Sequence, residues 1–312
     1  MTITQLEYIV AVADCKSFAK AAEKCHITQP TLSVQIKKLE DDLKVVLFDR
    51  SKKPVRPTDL GMQIIEQARI SLGELGRIRK IAASEQEDNQ GLINLGIIPT
   101  LSPYLLPLFS MPFLQHNPDS QLIVKEMISN DVIYNLYNHN LDIGILSTPI
   151  DSPDLKQLPL FYEPFVLYLS EDHPLIEQTQ VHIEDLNLSE LWLLEEGHCF
   201  RNQAFNICGK NRADNNRNAL RIESGSLEAL RRIVERQFGY TLLPQLATLE
   251  FNEQQKKRVK TFAPQTPVRE ISLIINRQFM KRKVVESLRR AILSQIPEEM
   301  QHKEGKQIIE WE

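Results

Sequence analysis

The sequence predicts an α+β multidomain chain: a winged helix-turn-helix head, a long linking helix and an α/β body. Three observations lead there. Near the N-terminus, two short amphipathic runs are separated only by His26 and Ile27, which is helix-turn-helix spacing. From Thr58 to about Glu87, apolar residues recur every three or four positions. Beyond Gly91 the pattern changes to alternating strand and helix signals, here expected to form a mostly parallel sheet.

The elements follow in order. Thr2 to Asp14 reads as a helix with Ile3, Leu6, Ile9, Val10 and Ala13 on one face. Ser17 caps a short helix to Cys25. Thr28 caps a third, where Pro30 sits in the first turn and its missing N–H costs little. Val45 to Thr58 reads as two short extended runs around a basic turn, a wing. The 58–87 helix carries one narrow seam (Ile64, Ala68, Leu72, Leu75, Ile78, Ala82), as helices that pair with another helix do. It ends in the polar linker E-Q-E-D-N-Q-G. In the body, strands are expected at Ile93–Ile98, Gln121–Met127, Leu141–Leu146, Leu191–Leu194 and Glu270–Ile275. Helices are expected at Ser102–Leu114, Asp131–Asn138, Arg201–Cys208, Ser226–Arg236 and Lys283–Ile296. The tail from Pro297 reads as polar and loose.

Composition bounds the function. The 312 residues are 42% hydrophobic and 25% charged, a globular balance. Net charge is −4, but residues 1–57 carry a net +3. A basic head on an acidic body suits DNA binding through one end. No apolar run reaches membrane-spanning length, and Tyr8–Ala13 is too short for a signal sequence, so a cytoplasmic protein is expected. There, four cysteines stay reduced unless a disulfide is functional. G-x-G-x-x-G, G-x-x-x-x-G-K, G-x-S-x-G and H-E-x-x-H are all absent, so no enzyme fingerprint competes.

The third helix has what a major-groove reader needs: Thr28, Gln29, Pro30, Thr31, Ser33 and Gln35 at its polar start, and Lys37 and Lys38 further on for phosphate. Arg50, Lys52, Lys53 and Arg56 decorate the wing. A solvated basic loop beside a helical bundle is the plainer alternative.

The chemistry-bearing segment is E-E-G-H-C-F-R-N-Q-A-F-N-I-C, residues 195–208. Cys199 falls after an expected strand and just before a helix, the sheet edge where ligands bind in open α/β folds. Near a helix N-terminus and beside His198 and Arg201, its pKa is expected to be lowered, toward the reactive thiolate. A peroxide would oxidise it to a sulfenic acid, which a second thiol turns into a disulfide. Cys208 is the candidate second thiol. If the intervening residues are helical, the two cysteines stand roughly 13 Å apart along the axis, and a disulfide needs Cα atoms within about 7 Å. Bridging then requires that helix to unwind. The plainer reading of each cysteine is a small buried hydrophobe. Cys15 and Cys25 look like packing thiols and His26 like a turn residue. Zinc on His198, Cys199 and Cys208 lacks a C-x-x-C or H-x-x-H pattern, so neither metal nor cofactor is expected.

Phe18, Ala21, Ala22, the run T-Q-P-T-L-S-V-Q-I-K-K-L-E, L-F-D-R and the T-x-x-G helix start at Thr58–Gly61 resemble the LysR family of regulators over residues 1 to about 87. The resemblance implies a winged helix-turn-helix (1–58), a dimerising linker helix and hinge (59–90) and a periplasmic-binding-protein-like regulatory domain (91–300). Its subdomain I would be about 91–163 plus 266–296, and subdomain II about 164–265, with 297–312 a loose tail. It implies homodimers and homotetramers on double-stranded promoter DNA, with RNA polymerase as a partner. G-H-C-F-R-N-Q-A, G-I-I-P-T-L-S-P-Y-L-L-P from Gly96, D-H-P at Asp172, S-L-E-A-L-R from Ser226 and G-Y-T-L-L-P from Gly239 are similar to the family's peroxide-responsive members. That similarity makes Cys199 the peroxidatic thiol and Cys208 its resolving partner. Thr100, Ser129, His198, Arg201 and Gln203 would hold hydrogen peroxide, and a cellular reductant such as glutaredoxin or thioredoxin would reset the switch. Two features depart from the family pattern: a longer, more basic stretch after Cys208, and Arg221 in place of a histidine before S-L-E. Two other readings compete. One is a LysR-type regulator with an organic effector between its subdomains and incidental cysteines. The other is a thiol peroxidase.

Overall fold

The computed structural model describes residues 1–51, 54–84, 91–150, 152–208, 224–277, 279 and 281–310. The chain divides into two compact units, residues 1–85 and residues 86–312 apart from a turn at 138–140.

The first unit begins with α1 (Ile3–Cys15), where Thr2 and Gln5 form a reciprocal capping box. Ser17 caps α2 (Phe18–Lys24) and Thr28 caps α3 (Gln29–Leu43). His26 turns the chain between them at φ 56°, which lets the Ile27 N–H donate to the Ala22 carbonyl at 3.0 Å. Leu6, Ile9, Val12, Ala21, Ala22, Leu32, Ile36 and Leu39 interlock as the core. The wing is a two-residue antiparallel ladder, β1 (Phe48–Asp49) against β2 (Arg56–Pro57). Then α4 (Asp59–Ser84) runs 26 residues. The Thr58 hydroxyl accepts from the Gly61 N–H at 2.9 Å and donates to the Val46 carbonyl at 2.7 Å. A Cβ on Gly61 would fall 2.1 Å from the Leu47 carbonyl oxygen, so only glycine fits there.

The second unit carries β3 (Gly91–Ile97), α5 (Ser102–His116), β4 (Ser120–Glu126), α6 (Ser129–Tyr137), β5 (Ile143–Thr148) and β6 (Leu155–Leu169). After these come β7 (Gln180–Val181), α7 (Cys199–Cys208), α8 (Leu227–Val234), β8 (Tyr240–Pro244), α9 (Glu253–Lys257) and β9 (Val259–Phe262). The order closes with β10 (Thr266–Asn276), α10 (Arg282–Leu293), α11 (Glu298–Gln301) and β11 (Lys306–Ile308). The sheet order is β4-β3-β5-β10-β6-β9-β7.

The expected mostly parallel sheet is corrected to a mixed one. β3 is parallel to β4 and β5, but β10 runs antiparallel to both β5 and β6. The reason is that β6 and β10 carry the chain across the body and back, and adjacent strands that cross and return oppose each other. One core gathers Ile93 to Phe161, the β10 end and α10; the other gathers Phe165 to Phe262.

Two other expectations fail. Leu191–Leu194 is not a strand: only Leu191 bridges to Tyr240, and the Trp192 N–H donates to the Tyr240 carbonyl at 2.8 Å. The tail is not loose. Its few apolar residues anchor it, with Met300 and Ile309 buried and β11 paired in parallel with β10. Among the described residues, no helix is long and apolar enough to cross a membrane.

Candidate functional site

α7 starts at Cys199 itself, two residues earlier than the sequence pattern suggests. Gly197, at φ 98°, makes the turn that leads into it. The Arg201 N–H closes the first turn on the His198 carbonyl at 3.0 Å. Cys199 and Cys208 are both buried free thiols at opposite ends of this helix.

A buried ion pair lies under the first turn of α7. Arg269 of β10 donates from Nε and Nη2 to Glu163 Oε2 of β6, at 2.9 and 2.7 Å. Its Nη1 donates to Thr100 Oγ1 at 2.8 Å and its Nη2 to the Thr100 carbonyl at 3.0 Å. The Leu246 N–H donates to Glu163 Oε1 at 3.0 Å. The guanidinium also lies over the Phe200 ring, 5.0 Å from its centroid. Thr100 follows β3 and Ser129 follows β4, so both reach the sheet edge where Cys199 lies.

The expected lowering of the Cys199 pKa is corrected. Burial dominates and pushes the thiol up. The Ser129 hydroxyl, the Arg269 charge and the backbone N–H groups of Phe200 and Cys199 work against burial. Ser129 is buried, and among the described residues its hydroxyl has no partner in ordinary hydrogen-bond geometry. The same holds for Gln203 Oε1. Burial also pushes the Cys208 thiol up, to about 12, with Tyr240 as its polar neighbour.

Other expected residues divide. His198 is buried, with Nε2 3.8 Å from Glu195 Oε1, and Gly225 lacks the Cβ that would meet that ring nitrogen at 2.8 Å. Arg201 does not supply the charge at the thiol; it reaches outward to Glu196 at 3.5 Å, and Arg269 is the cation acting on Cys199. Gln203 directs its amide nitrogen elsewhere, to Ser147 Oγ at 3.1 Å and the Ile309 carbonyl at 2.7 Å. Arg221 and the basic stretch after Cys208 lie outside the described residues. Arg269 and Glu163 were missed in the sequence; the available signal was charge inside two otherwise apolar strand runs, Glu163 in Y-E-P-F-V and Arg269, beside Glu270, in V-R-E-I-S.

In the head, Gln29, Pro30, Thr31 and Lys37 are exposed on α3, and Ser33 and Gln35 are half-buried. Thr28 Oγ1 accepts from the Thr31 N–H and meets Thr31 Oγ1 at 2.9 Å. Gln35 Oε1 is occupied by Gln5 at 3.4 Å and Lys37 pairs with Asp41 at 2.8 Å. Arg56 is exposed on β2. Arg50 Nη2 donates to the buried Glu40 carboxylate at 2.9 Å, and its guanidinium lies over the Phe18 ring. Lys53 lies outside the described residues. Cys15 and Cys25 pack half-buried against the head's core.

Residues 3–62 match the bacterial regulatory helix-turn-helix protein, lysR family, and residues 86–297 match the LysR substrate binding domain. The chain belongs to the LysR family. LysR relatives with high similarity include the hydrogen peroxide-inducible genes activator of Haemophilus influenzae, 36% identical over 88% of this chain and 90% of that one. The DNA-binding transcriptional dual regulator OxyR of Escherichia coli is 39% identical over 79% of this chain and 80% of its own. Among solved structures, a full-length OxyR variant from Pseudomonas aeruginosa superposes with a TM-score of 0.70 at 34% identity, covering 94% of this chain and 98% of that one.

Proposed function

We propose that this LysR-type regulator senses hydrogen peroxide at Cys199 and signals by a reversible Cys199–Cys208 disulfide that changes how its winged head binds promoter DNA. The observation that carries the reading is the buried Ser129 hydroxyl, which acts on the buried Cys199 thiol and has no partner in ordinary hydrogen-bond geometry among the described residues. A buried hydroxyl without a partner costs free energy, and a small polar ligand beside the sulfur would satisfy it. Thr100, fixed by Arg269, and His198 are the other polar groups offered to that ligand. The expected and observed helical spacing of the two cysteines agrees with a switch that must unwind α7.

The chemistry balances. The Cys199 thiolate attacks one peroxide oxygen; the O–O bond breaks, and the other oxygen leaves as hydroxide and takes up a proton. Cys199 becomes a sulfenic acid, oxidised by two electrons. The Cys208 sulfur then attacks the sulfenic sulfur, the S–S bond forms, the S–O bond breaks and water leaves. A cellular dithiol such as thioredoxin or glutaredoxin reverses this by exchange. The head would read DNA through Thr28, Gln29, Pro30, Thr31 and Ser33, with Lys37, Lys53 and Arg56 on phosphates. The oligomer would couple the body to two half-sites, and the oxidised form would recruit RNA polymerase to antioxidant genes.

The test is intact mass and peptide mapping of the protein before and after one equivalent of hydrogen peroxide. A loss of about two mass units mapped to a Cys199–Cys208 link is expected. A Cys199 that remains a free thiol overturns the reading and directs the search to organic effectors in the body.

A further inference from the structure

The C-terminal tail is fastened to the helix that carries both thiols. Gln203, fully buried in the middle of α7, donates from Nε2 to the Ile309 carbonyl at 2.7 Å. Three residues on, on the same face of the helix, Asn206 Nδ2 donates to the Glu310 carbonyl at 3.1 Å. The tail is held in turn by the sheet: β11 pairs with Thr266–Val268, and the Ile309 N–H donates to the Val268 carbonyl at 2.8 Å. The Ile309 side chain packs in the same core as Phe200, Ile207 and Cys208. Further back, Gln301 bonds to the Leu293 and Ile296 carbonyls and Met300 is buried, so the tail is fixed at both ends.

We propose that residues 306–310 form a redox-released strap: they hold α7 helical in the reduced protein and are let go when α7 unwinds. The release step rests on the disulfide reading above; the holding step does not. Both tethering side chains, Gln203 and Asn206, lie inside the span between Cys199 and Cys208 that must unwind. Unwinding α7 pulls both amides from the tail carbonyls and withdraws the apolar neighbours of Ile309. Coupling is reciprocal: a strap that binds only helical α7 favours the reduced state, so its loss favours disulfide formation. Gln203 fits this role. Its Nε2 is committed to Ser147 and the tail while its Oε1 has no partner among the described residues, so the helix depends on the tail at its most buried polar position.

Peptide-resolved hydrogen–deuterium exchange on the full chain tests both steps. Two variants are compared with wild type, a chain ending at Gly305 and the exposed substitution Asn206→Ala, which keeps a folded control if truncation unfolds the body. In reduced protein, without oxidant, α7 amides should exchange roughly tenfold faster in the truncated chain and a few-fold faster in Asn206→Ala. Unchanged α7 exchange in both overturns the strap. In wild type treated with peroxide, peptides over 303–310 should lose protection in step with the disulfide seen by mass. A disulfide formed while 303–310 stays protected overturns the release. Absence of any disulfide overturns the release together with the sensor reading, and the oxidant-free comparison still decides the strap by itself.

Discussion

Cys199 and Cys208 end the same ten-residue helix, yet they pack into different hydrophobic cores, Cys199 with Leu246 and the β3 side and Cys208 with Ile207 and Tyr240. Bridging them therefore moves at least one thiol out of its own core. This gives the order of events a test. Cys208→Ser leaves Cys199 in its site and removes the second thiol. Peroxide should then leave a gain of about 16 mass units on Cys199, trapped as sulfenic acid, and no dimedone-reactive species should form in Cys199→Ser. A Cys208→Ser protein that shows no adduct under the same pulse would place first attack elsewhere.

The buried pair Arg269–Glu163 makes opposite predictions for its two members. Glu163→Gln keeps Arg269 charged while removing its counter-charge, which favours the Cys199 thiolate; peroxide oxidation should speed up. Arg269→Met removes the cation, which disfavours the thiolate, and oxidation should slow. Both should destabilise the body, by about 3–5 kcal/mol where a buried charge is left alone. Stopped-flow oxidation rates separate the electrostatic effect from damage, because damage alone would move both variants the same way.

Much of this site was legible in the sequence, and the unread part has physical causes. The Cys199 turn was visible because glycine, histidine and cysteine meet at a helix start. Arg269 and Glu163 are 106 positions apart, and each sits in a run whose apolar pattern masks it. β6 was hidden by Pro159 and Pro164, which lower strand propensity; Pro159 sits at the register shift in the pairing with β10, and Pro164 lies opposite Val268 in that ladder. The tail reads as loose because two adjacent isoleucines inside a polar stretch carry no period, and what orders it is pairing with β10 and the side-chain amides of Gln203 and Asn206 on α7, which donate to the Ile309 and Glu310 carbonyls. The Cys199 environment was misjudged because neighbours in sequence, His198 and Arg201, are not its neighbours in charge.

The wing separates folding from DNA contact. Arg50 looks like a phosphate contact in sequence but bonds the carboxylate of Glu40, which is 5% exposed and also accepts from the Leu47 N–H at 2.8 Å. Arg50→Ala should cost about 1.5–3 kcal/mol of head stability and lower the melting temperature. Arg56→Ala should leave melting unchanged, weaken DNA binding uniformly across sequences and reduce the salt slope by about 1. Equal melting temperatures for the two variants would refute the distinction.

Across the body, Tyr104 of α5 donates to Glu228 of α8 at 3.0 Å, and Glu228 in turn takes two bonds from Arg231. One element belongs to the first core and the other to the second, so this phenol bonds the two halves directly. Burial and the Glu228 charge push its pKa up, so it stays a donor throughout the physiological range. Tyr104→Phe should cost about 1 kcal/mol and raise exchange at the start of α8 without changing the Cys199 oxidation rate. A slowed oxidation would instead tie this bond to the sensor site.

The two cysteines, together with buried tyrosines such as Tyr168, contribute to the loss of stability in alkali. Both thiols are pushed above the ordinary 9.0 by burial, Cys208 to about 12. In the unfolded chain each loses its proton near 9.0, whereas the folded chain keeps it. Between those values the unfolded state binds fewer protons, so stability falls as pH rises through 9.0 and goes on falling toward 12. The slope from one such thiol is at most about 1.4 kcal/mol per pH unit. Urea melts of reduced protein at pH 8 to 11 should therefore show a stability that declines less steeply in Cys208→Ala, although the variant starts lower at neutral pH because it leaves a small cavity. Parallel pH profiles in wild type and Cys208→Ala would mean that the thiol is hydrated in the folded protein, and the packing of the α7 C-terminus described above would have to be revised.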